Sequence, residues 1–257
     1  MILTEINGVF VLKFPCLETY PEIKHGVFTR KGGCSKGSFK SLNVGLHVGD
    51  KEINVKLNRE TISRCMDEKD VVYADQTHGT DVLIFSGKQQ NRKNSGDVLL
   101  RKGDAMVTDI KNKMLVIQVA DCQAILMYDP FKKVVANVHS GWRGSIQNII
   151  GRTVEVMKNS FGSKPSDIIA GICPSLGSCC AEFINYKNEI PETYWRYKTG
   201  FDHFDFWRMS SDQLCEKGVL EKNIFLSNIC SRCNTDFLYS FRKERVTGRF
   251  AAFIGFA

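Results

Sequence analysis

The segment KMLVIQVADCQAILMYDPFKKVVANVHSGWRGSIQNII, residues 113–150, allows few folds. Three apolar, β-rich runs (113–120, 124–128 and 133–139) are separated by short polar breaks, the second of which, DPFK, reads as a hairpin turn. The third run passes through a Gly-Trp-Arg-Gly turn into a stretch where Ile146, Ile149, Ile150, Val154 and Met157 recur at helical spacing. Further strands are expected over 9–14, 26–29 and 81–86, and further helices over 52–66 and near 210–218. Strands that come in hairpins, with helices interspersed and no regular strand–helix alternation, predict an α+β fold of mixed strands packed with several helices. The Gly-, Ser- and Asn-rich stretches 31–38 and 86–96 read as loops within a single domain over residues 1–257.

Composition removes several classes of protein. Of the 257 residues 43% are hydrophobic, ordinary for a chain that buries a core and too many for a disordered one. No apolar run approaches the roughly 20 residues of a membrane span, and the start MILTEINGVF lacks the basic segment and cleavage site of an export signal. A cytoplasmic protein with no membrane partner is expected. In that compartment the ten cysteines are reduced thiols, not a disulfide framework. The net charge of +7 is scattered over short clusters such as TRKGG, NRKN and FRKER, a pattern that suits a small anionic ligand better than a nucleic-acid groove.

Of the five histidines, His78 and His139 stand at the ends of apolar runs, and Asp121 and Cys122 fall at the break between two such runs. Strand ends are where loops present functional groups on a rigid scaffold. If His78, Cys122 and His139 converge, two imidazoles and a thiolate suit zinc, and three protein ligands leave the fourth tetrahedral position open, as in catalytic zinc. Ligands 44 and 17 residues apart follow no short metal motif, so spacing by itself favours a buried thiol and two unrelated histidines.

The motifs DQTHGTDV, GDAMVTD, VADCQAILMYDP, VANVHSGWRGSI, GICPSLGSCCAEF and CSRCNTDFLYSFRKERVTGR resemble, in order and spacing, those of the YfiH-like family. Its members are described both as multicopper polyphenol oxidases, or laccases, and as purine nucleoside phosphorylases with adenosine deaminase activity. The resemblance runs from GVFTRKGGCS and SLNVGLHVGD to TGRFAAFIGF, nearly the whole chain. It implies a YfiH-like α+β fold and a zinc ion held by His78, Cys122 and His139, with copper as the alternative metal. It implies as substrates a purine nucleoside (adenosine, inosine or methylthioadenosine) and phosphate, giving ribose 1-phosphate and free base. Under this resemblance Cys122, His139, Arg30 and Glu182 are the catalytic candidates, and Arg30, Asn43, Gln76 and Arg143 the substrate-binding ones. The expected assembly is a monomer or weak dimer. Two positions depart from the family's pattern: Ser140 replaces a common alanine, and Ala181 stands where an aromatic residue usually precedes the glutamate, opening space beside Glu182.

Several of these residues have more than one reading. Arg30, in the glycine-rich turn TRKGGCS, and Arg143, four residues after His139 at a helix start, suit phosphate because a guanidinium is a rigid, permanently charged fork. Their structural alternatives are a solvated loop charge and a carboxylate-paired turn. Trp142 either stacks on a base or anchors its turn. Glu182 and Asp121 can carry a proton, and Asp121 can instead orient a ligand histidine. A laccase of the multicopper type needs roughly ten histidines, which five cannot supply, so laccase chemistry is the minor alternative. Cys122 and His139 also fit a metal-free nucleophile and base with a carboxylate behind them, and the family's fold resembles a deamidating toxin domain with such a pair. A non-catalytic binding protein is the least supported option. Cys230 and Cys233 form one Cys-x-x-Cys and Cys179 and Cys180 are adjacent; each pair supplies only two of four ligands, so buried or redox-sensitive thiols are expected there. His25, His47 and His203 are expected to be structural, with the family-like LNVGLHVGD around His47 also a candidate to shape the pocket.

Overall fold

The computed structural model describes residues 1–67, 70–87 and 102–257, so most of the loop expected over 86–96 lies outside the described residues. Its strands are β1 (Ile2–Ile6), β2 (Val9–Lys13), β3 (Ile23–Phe28), β4 (Asp70–Tyr73), β5 (Val82–Phe85), β6 (Ala105–Thr108), β7 (Lys113–Val119), β8 (Gln123–Asp129), β9 (Val134–Ser140), β10 (Ile169–Ile172), β11 (Lys198–Thr199), β12 (His203–Phe204), β13 (Ile224–Leu226) and β14 (Phe250–Phe256). The helices are α1 (Pro15–Glu18), α2 (Glu52–Met66), α3 (Trp142–Ile146), α4 (Ile149–Phe161), α5 (Tyr186–Glu189), α6 (Phe206–Glu216) and α7 (Phe241–Glu244). No helix among the described residues is long and apolar enough to cross a membrane.

Two six-stranded sheets, ordered β1-β2-β3-β14-β7-β4 and β13-β10-β8-β9-β6-β5, form the frame, with a small ribbon of β11 and β12. Their facing sides share one buried cluster: Leu115, Ile117, Phe250, Ala252 and Ile254 of the first sheet meet Ala124, Leu126, Tyr128 and Val135 of the second. The outer side of the second sheet, with Ile125, Met127, Ala136 and Val138, is covered by Ile149, Ile150, Val154 and Met157 of α4 and Leu214 of α6. The outer side of the first sheet, with Val11, Val116 and Phe253, is covered by Ile62 and Met66 of α2. The result is four layers, helix–sheet–sheet–helix, so both faces of the central strands are dry. That double burial is why β7, β8 and β9 read as near-continuous apolar runs instead of alternating ones. Truncating a side chain such as Ile117 or Leu126 between the sheets costs about 2–5 kcal/mol.

The expected α+β class holds, with parallel pairs β4–β7, β5–β6 and β10–β13 among otherwise antiparallel neighbours. Helix α2 occupies the expected 52–66, and α6 begins four residues before the expected 210. The helical face that starts at Ile146 proves to belong to two helices. Asn148 sits at φ +56°, and its side chain accepts the Gly151 N–H at 2.8 Å, capping α4 and separating it from α3. Of the four connections that cross between the sheets, two run from the first to the second. The chain leaves the first sheet at Tyr73 and enters the second at Val82, and it does so again between Val119 and Gln123.

His25 of β3 lies fully inside, with its Nε2 accepting the Phe14 N–H at 3.0 Å just ahead of α1. Burial pulls its pKa down to about 4, with the Glu18 carboxylate opposing. In the unfolded chain the imidazole titrates near 6.5. Between those two values the unfolded state binds more protons, so stability is complete above pH 6.5 and is lost as pH falls toward 4, by on the order of 3 kcal/mol. His25→Gln keeps an acceptor for Phe14 but does not titrate. Its urea midpoint should therefore decline less than that of the unsubstituted protein between pH 6.5 and 4; parallel declines would assign the acid sensitivity elsewhere.

Candidate metal centre and its two cavities

Each crossing from the first sheet to the second carries one of the predicted ligands. His78 lies in the connection from β4 to β5, and Cys122 in the turn from β7 to β8. The third, His139, is the penultimate residue of β9 and pairs across the ladder with Ala124, which sets it two residues from Cys122 at the same strand end. His78 Nε2 and Cys122 Sγ are 3.9 Å apart, and the rings of His78 and His139 meet edge to face with centroids 4.8 Å apart. One donor atom from each of the three lies within 4.8 Å of the others. Gly141 is part of the fit, since a Cβ there would stand 2.9 Å from His78 Cδ2 and 3.1 Å from Cys122 Sγ. The donor set and its spacing suit a single zinc ion with an open position.

Asp104, fully buried, organises this cluster. His139 Nδ1 is 2.8 Å from Asp104 Oδ1; because a carboxylate accepts, Nδ1 carries the proton and Nε2 is left as the ligand atom. The same carboxylate accepts from Thr77 N (3.2 Å), Thr77 Oγ1 (3.0 Å), His78 N (2.9 Å) and Gly79 N (2.7 Å). His78 sits at φ +61°, which a side-chain-bearing residue seldom adopts, and these donors hold its loop in that conformation. Burial alone would raise the pKa of Asp104, but the bonds from His139, Gly79 and His78 hold it well below the usual carboxylate range. For Cys122 burial also acts upward and is outweighed by His139 and His78, which draw the thiol down to about 6. Burial would depress His139, yet the Cys122 thiolate and Asp104 raise it to about 9.

Cys122 stands in a wall shared by two cavities. The first, about 410 Å³, presents Trp142, Phe183, Phe206 and Phe241 together with Glu182, Arg242 and Arg245. The second, about 430 Å³, presents His78, His139, Gln76, His47, Arg59 and Arg249. The aromatic wall is stiffened by edge contacts, with Trp142 and Phe183 centroids 6.1 Å apart. Arg249 lies close enough to Cys122 for the thiolate to oppose the downward pull of burial on its guanidinium.

The predicted residues distribute unevenly over this site. Glu182 and Gln76 line the cavities, but Gln76 is clasped to the Gln118 backbone, donating to its O and accepting from its N at 2.9 Å each. Arg30 lines neither cavity: Nη1 donates to Glu244 Oε1 (2.9 Å) and Thr235 O (2.8 Å), Nε donates to Lys40 O (3.0 Å), and the guanidinium lies over the Tyr239 ring. Its fork meets protein acceptors and so braces α7, which presents Phe241 and Arg242 to the first cavity. Asn43 is buried and equally committed, donating to Asp50 and accepting the N–H groups of Gly45 and Arg249. Arg143 is exposed on α3 with its guanidinium over Trp142, outside both linings.

Other expectations are corrected by position. Asp121 accepts from Ser231 Oγ and Arg242 N at 2.6 Å each, so the carboxylate that orients His139 is Asp104 instead. Asp104 carried one signal, a carboxylate just before an apolar run, which Asp70 and Asp81 share. Ala181 is fully buried among Phe204, Phe206 and Met209, so the space its small side chain leaves lies in that cluster and not in the cavity lined by Glu182. Of the two readings of His47, structural or pocket-shaping, its position favours the second, since it lines the second cavity, where Arg59 and Arg249 supply the cations. Cys179, Cys180, Cys230 and Cys233, expected to act as separate pairs, form one group.

The family model described as multi-copper polyphenol oxidoreductase laccase matches residues 24–257. The purine nucleoside phosphorylase of Bacteroides thetaiotaomicron is 30% identical over 254 residues, covering 91% of this chain and 91% of the relative. The purine nucleoside phosphorylase YlmD of Geobacillus stearothermophilus is 31% identical over 243 residues, covering 90% and 89%. The crystal structure of the Bacillus licheniformis hypothetical protein YfiH superposes with a TM-score of 0.86 at 28% identity, over 99% of each chain. That of YlmD from Geobacillus stearothermophilus gives 0.85 at 29% identity, over 98% of this chain and 97% of the other. With sequence and fold both matched over nearly their whole length, the chain belongs to the YfiH-like family, whose model bears the laccase description and whose relatives here are named purine nucleoside phosphorylases.

Proposed function

We propose that this chain is a cytoplasmic, zinc-dependent purine nucleoside phosphorylase that also deaminates adenosine. The observation that carries the reading is that His78, Cys122 and His139 meet at the cationic cavity while Cys122 also lines the aromatic one. Zinc, when bound, supplies a Lewis acid that polarises oxygen and acidifies water at neutral pH. Trp142, Phe183 and Phe241 offer flat apolar faces to a purine. Arg249 and Arg59 offer permanent positive charge to a phosphate dianion across the wall. In phosphorolysis a phosphate oxygen bonds to C1′ of the ribose as the C–N bond to the purine breaks, and the departing purine takes up a proton. Glu182, exposed at the aromatic cavity, is the candidate to deliver it. Asp104 keeps the proton of His139 on Nδ1 throughout.

The laccase description does not extend to multicopper chemistry in this chain. Its five histidines fall short of the roughly ten such sites require, and only His47, His78 and His139 reach the second cavity. The alignment Cys122–His139–Asp104 favours one other reading, a thiolate nucleophile with a carboxylate-braced imidazole. Metal content separates the two: activity that survives complete zinc removal supports the thiolate nucleophile and refutes the metalloenzyme.

Cys122→Ala is expected to lose the zinc of this site. Asp104→Asn, which keeps the shape but weakens the acceptor, should lower zinc affinity about 10- to 100-fold in competition with a chromogenic chelator. Unchanged affinity would remove Asp104 from the ligand-orienting role.

The cationic cavity can be tested with adenosine supplied with and without phosphate, resolving adenine, ribose 1-phosphate and inosine. Arg249→Gln should cut ribose 1-phosphate formation about 10- to 100-fold while sparing most inosine formation, because hydrolytic deamination uses no phosphate. Arg30→Ala, which loosens α7, should depress both reactions alike. If Arg30→Ala proves the selective variant and Arg249→Gln the indiscriminate one, the phosphate lies on the Arg30 side.

A further inference from the structure

The chain brings together four cysteines from two loops that are far apart in sequence. Cys179 and Cys180 lie in the loop between β10 and α5, Cys230 and Cys233 in the loop after β13, and all four sulfurs fall within 4.8 Å of one another. None is in a disulfide. Cys179 Sγ is 3.8 Å and Cys180 Sγ 3.6 Å from Cys233 Sγ. Four thiolates bound at about 2.3 Å around a tetrahedral zinc stand about 3.8 Å from each other, close to the two separations from Cys233, so small shifts would bring the set onto such an ion. The approach is too close for a multi-iron cluster, whose cysteine sulfurs lie outside a cage of several atoms, and too wide for covalent S–S bonds at about 2.05 Å.

The surroundings suit thiolates. Arg232, inside the Cys-x-x-Cys turn, donates through Nη1 to Cys180 Sγ at 3.3 Å, and Gly177 N donates to Cys230 Sγ at 3.4 Å. Four thiolates and one divalent cation leave a doubly negative centre, which a guanidinium and an N–H donor stabilise. Cys180 and Cys230 are buried while Cys179 and Cys233 reach the surface, giving the ion a path in and a closed, all-sulfur shell once bound. A filled four-sulfur shell has no open position and is structural in character.

We propose that Cys179, Cys180, Cys230 and Cys233 bind a second, structural zinc that clamps these two loops beside the substrate cavity. The first loop continues into Glu182 and Phe183 and the second leads to Phe241 and Arg242, so the clamp sets the spacing of the aromatic cavity's polar and apolar walls.

The test is metal content of the full chain, produced with zinc and reductant and measured by elemental mass spectrometry. The unsubstituted protein should carry two equivalents of zinc. Cys230→Ser/Cys233→Ser should carry one fewer than the unsubstituted protein, and Cys122→Ala should retain the cysteine-bound ion. The comparison is independent of the proposed activity: if the His-Cys-His site proves to hold no zinc, the difference between the double variant and the parent still decides. Cobalt loaded into Cys122→Ala should show intense thiolate-to-cobalt charge transfer and tetrahedral visible bands, a readout that stands even if the double serine variant fails to fold. Equal zinc in the double variant and its parent, no thiolate bands in cobalt-loaded Cys122→Ala, or an intact mass lowered by two hydrogens per cysteine pair would overturn the second site.

Discussion

Asp104 accepts five hydrogen bonds while its main chain joins two ladders: its N–H donates to Asp81 O at 2.9 Å, and its O accepts the His139 N–H at 2.6 Å. A carboxylate this deep would be costly without partners, and here nearly every partner belongs to a segment that bears a candidate ligand. The loop at 77–79 gains an acceptor for N–H groups that its left-handed residue at 78 leaves unpaired, and His139 gains a fixed tautomer. Removing the carboxylate would strand those donors at about 1–3 kcal/mol for each one left unpaired. Folding of the crossing and geometry of the site are thus the same interaction seen from two sides. Cys122 depends on it indirectly, since a thiol can be held low at this depth only if the two imidazoles stay where Asp104 puts them.

The frame was legible where burial imposes a simple pattern. The runs at 113–119, 123–129 and 134–140 could be read as strands because β-branched and aliphatic residues continue unbroken between turn residues, and α2 because its apolar residues recur with helical period. Strand β14, FAAFIGF, escaped that reading although it is central to the first sheet. Its small residues and glycine fit the close approach of neighbouring strands, and they erase the β-propensity signal that a lone sequence offers. At the site, His78, Cys122 and His139 stand out as polar groups at apolar strand ends, but their spacing follows no metal motif, and it is the resemblance to the YfiH-like family that joins them into one candidate ligand set. Asp104 does not stand out, because its role exists only when β6, β9 and the 77–79 loop meet. The surroundings of Arg30 and Asn43 were hidden for the converse reason: polar side chains in glycine-rich turns look available for ligands until partners on distant segments, Glu244 for Arg30 and the Arg249 N–H for Asn43, are brought alongside.

A sandwich of two sheets explains why Cys122 faces two cavities while His78 and His139 face one. Each of the two crossings from the first sheet to the second has to leave one layer and enter the next, and neither can be filled by the regular packing on either side of it. Cys122 and His78 occupy that seam. The aromatic cavity forms where α3 and the loop around Glu182 cover one side, and the cationic cavity where His47, Arg59 and Arg249 cover the other. The polar wall is itself built from the first sheet: Arg59 extends from α2 to donate to Gln118 Oε1 at 3.1 Å and lies over Tyr73, and Arg249 immediately precedes β14. Positive charge is thereby held on rigid elements and not on a mobile loop, which suits an anion that must be presented in one orientation.

The opposite cavity has the harder mechanical problem, because its walls carry little regular structure between β10 and α6 and again between β13 and β14. Backbone groups there must find partners outside any ladder. They do so through side chains: Trp207 Nε1 donates to Ser175 Oγ at 2.6 Å, Asp121 ties Ser231 and the Arg242 N–H together, and Arg242 Nη1 donates to Glu182 O at 2.6 Å. The first link ties α6 to the loop that bears Glu182, and the others join the crossing that bears Cys122, or that loop, to the segment after β13. The four cysteines sit at the point where those same two segments run closest, with Ser175 bridged to Cys230. Polar links of this kind are individually worth about 0.5–1.5 kcal/mol and can open one at a time. A single centre that bonds both segments at once makes their spacing cooperative, and the width of the aromatic cavity depends on that spacing.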